Sequence, residues 1–160
     1  MNIMSMLGQV KWLSYEKKIS FYPPFLLIGA RVRKVSRNPI EIIVHLPLGW
    51  RSCNGGGSVF GGCQALVADP IAPIGCLIAF PEYHVWTKGL RIDFLLPGNS
   101  DLELRFSMAW EQQAAIQQEL DTHRRANPEF EFGLYRKDGR KNARVFCTVA
   151  IRKKGYRNMV

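Results

Sequence analysis

Residues 59–80 read VFGGCQALVADPIAPIGCLIAF and carry a single charge, the carboxylate of Asp69. Val59 to Asp69 is apolar enough to be a fully buried helix, and an apolar segment continues to about Phe80. Pro70 lacks the amide that would bond to residue 66, so a kink or an irregular turn is expected there. Five glycines, Gly55, Gly56, Gly57, Gly61 and Gly62, crowd the approach to this helix. Glycine lets backbone, sheet or ligand come close where a side chain would obstruct. A buried helix needs apolar surface to pack against, and the rest of the chain is strand-rich.

Before it, residues 3–19 place Ile3, Met6, Leu7, Val10 and Leu13 at loosely helical spacing, and Tyr22-Pro23-Pro24 is expected to end that helix. Leu26 to Asn38 and Ile40 to Leu46 read as strands that can form a hairpin across Asn38-Pro39. After it, Val85 to Leu96, Leu102 to Ala109, Phe130 to Lys137 and Arg144 to Arg152 are alternating or β-branched. Pro97-Gly98-Asn99 marks one turn, and Asp138-Gly139 a hairpin. Glu111 to Arg125 is rich in helix formers, with an acid near its start and His123, Arg124 and Arg125 near its end, as the helix dipole favours. One apolar helix among antiparallel strands predicts an α+β fold, a curved sheet wrapped around that helix. The 160 residues predict a single domain, with an N-terminal helical extension over 1–20 and a basic tail over 155–160.

The net charge of +9 favours an anionic partner, and four cysteines with three histidines show no clustered spacing that would hold a metal. Free thiols in apolar surroundings suit a reducing cytoplasm. No secretory signal is visible, and the run Ile71 to Phe80 is too short to span a bilayer. A nucleic-acid binder is suggested by charge alone, and no aromatic-basic motif of the single-strand readers accompanies it.

The order Asn54, Phe60-Gly61-Gly62, Ala68-Asp69 and Ile92-Asp93-Phe94-Leu95-Leu96-Pro97-Gly98 resembles the hotdog-fold thioesterase superfamily, in the layout of its phenylacetic-acid-degradation type. Tyr22 to Phe25, Phe60-Gly61-Gly62, Asp69-Pro70 and Val85-Trp86 are most similar to a thioesterase-like group also found as the C-terminal half of some acetyltransferase fusions. The resemblance covers roughly residues 20–154. It implies a hotdog fold and hydrolysis of an acyl-CoA or acyl-carrier-protein thioester without a further cofactor. It also implies a homodimer or dimer of dimers, in which the helix glycine of one subunit faces the acid of the other. Asp69 is then the general base or nucleophile, and Asn54 holds the water or the thioester. Phe60 stands where the phenylacetic-acid-degradation type has histidine.

The residues support that chemistry on their own terms. A helix start leaves amides unpaired at the positive end of its dipole. Gly61 and Gly62 amides there could stabilise the negative charge that builds on a thioester carbonyl. Asp69 stands seven residues beyond Gly62, about 10 Å along the helix, so it cannot serve its own helix start. Two structural readings stay open beside these: Gly61-Gly62 as a close-packing device, and Asp69 as an acid that caps its own turn. Phe60 and Pro70 also leave open a binding module that holds acyl thioesters without cleaving them. Lys88, Arg91, Arg152 and Lys153 are candidate phosphate contacts by charge. Cys63 reads as a small buried side chain, although the helix dipole could lower its pKa. Asp93 reads as structural, His45 and His84 as packed or exposed, and Trp50 and Trp86 as core or interface.

Overall fold

The computed structural model describes residues 14–154. Among the described residues two short helices come first, α1 (Tyr15–Ser20) and α2 (Pro23–Ile28). Most of the helix expected over residues 3–19, and the tail over 155–160, lie outside the described residues. Pro23 does not simply end a helix. It occupies the first turn of α2, where its missing amide costs nothing and its fixed φ suits the helix. Leu26 to Ile28 therefore finish α2 instead of opening a strand. Gly29, at φ 73°, closes the helix in the left-handed region that glycine reaches without penalty.

The sheet then begins with β1 (Arg31–Arg37) and β2 (Ile40–Leu46), an antiparallel hairpin across a cis Asn38–Pro39 bond. Its register shifts between Val32 and Lys34. The apolar segment forms α3 (Gly61–Ala68) and α4 (Ile71–Ala79), joined at Asp69-Pro70. There follow β3 (Tyr83–Phe94), β4 (Leu102–Met108), α5 (Trp110–His123), β5 (Arg125–Ala126), β6 (Glu129–Arg136) and β7 (Lys141–Lys153). All pairings are antiparallel, in the order β1-β2-β4-β6-β7-β3, with β5 on β7. The Asp138-Gly139 turn closes the β6–β7 hairpin with Gly139 at φ 82°. Pro97-Gly98-Asn99 joins strands that are not neighbours: the chain leaves β3 at one edge and re-enters at β4.

The fold is α+β, a curved antiparallel sheet wrapped around the α3–α4 helix. Strict alternation on β2 (Ile40, Ile42, Val44, Leu46) and β4 (Leu102, Leu104, Phe106, Met108) turns one sheet face inward. Val67, Ala68, Ile71, Ala72 and Cys76 of the helix pair are wholly buried. At Gly75 a side chain would collide with the Phe106 ring, so glycine sets how closely helix and sheet approach. Taken together, Gly61–Ala79 is 19 residues of mean hydropathy 1.5, long and apolar enough to cross a membrane, where Ile71 to Phe80 alone was too short. Half of it is buried inside the protein, as the core helix of this sheet.

Candidate active site

The start of α3 is fixed from three sides. The Phe60 amide donates to the Ser52 carbonyl (2.7 Å), and the Val59 amide to the Gly98 carbonyl (2.9 Å). The buried Gln64 side chain donates to the Val59 carbonyl (3.1 Å). The Pro97-Gly98 motif thus serves the helix entry directly. Asn142, also buried, holds that motif in turn: its carbonyl accepts from the Leu95 and Leu96 amides, and its side chain donates to the Leu96 carbonyl. The amides of Gly61 and Gly62 have no acceptor among the described residues. Two half-exposed rings lie against these glycines. A Cβ at Gly61 would stand 3.0 Å from Phe94 Cζ, and one at Gly62 would collide with Phe60. A side chain at either position would have to displace one of these rings, so glycine lets both rings pack against the helix start.

Asn54 lies in the loop that leads to this helix. The Cys53–Val59 bridge closes the loop, and the Asn54 side-chain oxygen accepts from the amides of Gly56 (2.9 Å) and Ser58 (3.1 Å). The glycine loop is thus an ordered turn built on Asn54. The carbonyl oxygen of that side chain is committed, and its NH2 group is the part left to meet a ligand.

Asp69 is not buried, as the apolar segment had suggested. It is the exposed residue at the break between α3 and α4, beside β3. Pro70 removes the amide that would bond to the Leu66 carbonyl and Pro73 the one that would bond to the Asp69 carbonyl, and Thr87 Oγ1 donates to that freed Asp69 carbonyl (3.0 Å). The carboxylate has no hydrogen bond or ion pair among the described residues. Tyr22, Asp69, Pro70, Pro73, Ile74 and Thr87 line a cavity of about 230 Å³. Beneath it, burial pushes the Cys147 thiol up to about 11, and the negative charge of Asp69 adds to the effect. The register of β3 against β7 shifts between Thr87 and Gly89, a bulge of the kind that re-aims side chains beside functional sites.

The structure therefore brings Asn54, Phe60, Gly61 and Gly62 together at one end of α3, and leaves Asp69 at the other. Of the expected phosphate contacts, Arg91 is stacked on Phe146 and paired with Asp93, and Arg152 donates to Ala126, Ile151 and Asn127. Lys88, at the bulge, and Lys153, at the end of β7, are exposed. Cys63 is buried, and burial raises its pKa above the ordinary thiol value. His45 pairs with Asp101 (3.2 Å), and His84 is exposed on β3. Trp50 and Trp86 are exposed, so neither belongs to the core. Thr87 as a neighbour of Asp69 was not singled out in the sequence, and Tyr22 and Phe94 were read only as motif residues, not as neighbours of Asp69 and Gly61. The Val85-Trp86 motif pointed to the right strand, but only the bulge shows that Thr87 turns toward Asp69.

No curated protein matches the chain in sequence. Solved structures match it in fold. A probable thioesterase of unknown function from Pseudomonas aeruginosa has TM-score 0.75 at 19% identity, over 86% of this chain and 90% of its own. A thioesterase from Haemophilus influenzae has TM-score 0.69 at 10% identity, over 88% and 90%. A mutant thioesterase from Pseudomonas aeruginosa has TM-score 0.67 at 12% identity, over 94% of both chains. These likenesses establish the hotdog fold. Residues 12–151 match one family model across most of the chain, and the protein belongs to that family, the domain of unknown function DUF4442.

Proposed function

We propose that this protein is a thioester hydrolase acting on acyl-CoA or acyl-carrier thioesters, with each site shared between two copies of the chain. The observation that carries this is the pairing of two unpartnered features on one flank: bare amides at Gly61-Gly62 and an unpaired carboxylate at Asp69. They lie about 10 Å apart along one helix, too far to act on one carbonyl. The edge strand β3 supplies the geometry that joins them. Its Thr87 lies at Asp69 and its Phe94 at Gly61, and one side of it pairs with no strand among the described residues. Antiparallel pairing of two β3 strands runs the Phe94 end of one copy toward the Thr87 end of the other. Asp69 of one copy then approaches the glycine amides of its partner.

In that site Asp69 takes a proton from water, and the resulting hydroxide attacks the thioester carbonyl. The Gly61 and Gly62 amides hold the oxyanion, an interaction whose loss typically costs a few kcal/mol of barrier. The tetrahedral intermediate collapses, the C–S bond breaks, and the thiolate takes up the proton, giving carboxylic acid and free thiol. Direct attack by Asp69 would give an acyl anhydride that water then opens to the same products. Asn54 offers its NH2 group to the water or the thioester.

The test is thiol release from short, medium, long and aromatic acyl-CoA thioesters by wild type and Asp69→Ala. Hydrolysis by wild type, with a loss of about 100-fold or more in the variant, is expected. Full activity in a folded Asp69→Ala protein would remove Asp69 from the mechanism. A second reading, an acyl-thioester binding module, draws on the Phe60 ring packed against Gly62, where the phenylacetic-acid-degradation type has a polar histidine. Saturable acyl-CoA binding without thiol release across the panel would favour it.

A further inference from the structure

A groove on the opposite edge of the sheet, where α1, α2, β1 and the loop after β2 meet, carries a concentration of cations that the proposed chemistry does not use. Two cavities, of about 250 and 520 Å³, share Gly29, Arg31, Arg33 and Arg51 in their walls. The side chains of Arg31 and Arg33 have no hydrogen bond or ion pair among the described residues, in contrast to those of Arg91 and Arg152. Arg51 makes one long contact to the Leu26 carbonyl (3.4 Å) and stacks its guanidinium on Trp50, 4.9 Å from the ring centroid. Lys17 adds a fourth cation to the larger cavity. The acid that lines it, Glu16, is turned to the Val35 amide (3.2 Å). Trp50, on the wall of the smaller cavity, is 86% exposed.

Uncompensated guanidinium groups repel one another and attract anions, and their planar forks match phosphate oxygens. An open indole beside them stacks on a heteroaromatic base. We infer that this groove binds an adenosine phosphate group, with its phosphates on Arg31, Arg33 and Arg51 and its base on Trp50. The groove also reaches the helix start. Ser52 lines the smaller cavity, and its carbonyl holds the Phe60 amide. A nucleotide anchored here could extend a thioester arm toward Gly61-Gly62. That extension rests on the function proposed above, whereas nucleotide binding itself does not.

Calorimetric titration with ADP, free coenzyme A and inorganic pyrophosphate tests this on wild type, an Arg31→Glu/Arg33→Glu double variant and Trp50→Ala. The substituted positions are exposed, and equal melting temperatures will show that the variants are folded. ADP and coenzyme A are expected to bind wild type, and the charge reversal to weaken both by about ten-fold or more. Trp50→Ala should weaken ADP but not pyrophosphate. Absence of ADP and coenzyme A binding, or affinities unchanged in the double variant, would overturn the inference. So would pyrophosphate binding as tightly as ADP. Thioester hydrolysis with an unchanged KM in the double variant would place the handle elsewhere and leave the proposed function standing. Loss of nucleotide binding in a protein that never releases thiol would leave the groove standing alone.

Discussion

Asp69, Asn54 and the glycine pair could be nominated as candidates from the sequence because they are ordered along it: a polar loop, a helix start, then an acid at a proline break. Their surroundings were not. Spacing does not reveal that the Asn54 oxygen is spent on its own loop, or that two rings close over the glycines. Nor does it distinguish a cation with a partner, such as Arg152, from one without, such as Arg31. Thiol chemistry gives a test at this scale. Burial raises Cys76 to about 12 and Cys147 to about 11, from an ordinary value of 9.0. In the folded protein both stay protonated at neutral pH. Iodoacetamide should therefore label exposed Cys53 quickly, and Cys76 and Cys147 only after denaturation. The sign of the linkage follows. Above pH 9.0 the unfolded chain loses these protons while the folded chain keeps them, so stability should fall as pH rises from there toward about 12. Urea midpoints at pH 8 and about pH 10 read this directly, and Cys147→Ala should flatten the slope.

Elements were recovered where the pattern was periodic. β2, β4, α5 and the β6–β7 hairpin stand within a few residues of their expected bounds, because alternation and turn chemistry agree there. α2 was missed because proline opens a helix as readily as it ends one, and the chain after Pro23-Pro24 is apolar without clear period. The neighbours of β3 could not be read either, since strand order is set by long-range pairing that local pattern does not encode. What joins helix to sheet is specific to Gly75. Gly75→Ala improves helix propensity but drives a methyl into Phe106, which is itself buried. Overpacking is expected to win, with a net loss of about 1–3 kcal/mol in urea denaturation. Phe106→Leu in the same chain should recover part of it.

The molecule as a whole presents an edge strand of 12 residues, with Phe94, Leu95, Phe60 and Trp86 exposed on or beside it. Long bare edges are a liability that proteins cover, and a second copy is the cover proposed here. Sedimentation equilibrium should give twice the 18.2 kDa chain mass or a multiple of that, and a strictly monomeric protein would contradict a shared site. Composite sites also complement one another. Asp69→Ala and Asn54→Ala chains, each inactive alone, should on mixing and subunit exchange form hybrids in which one site has both residues intact. About one quarter of wild-type thiol release is then expected, since half of the dimers are hybrids with one working site each. Recovery to that level in the acyl-CoA assay would bear out hydrolysis at a site built from Asp69 of one copy and the Asn54–Gly62 end of the other. Hybrids that form but release no thiol, from parents that bind the thioester, would contradict it.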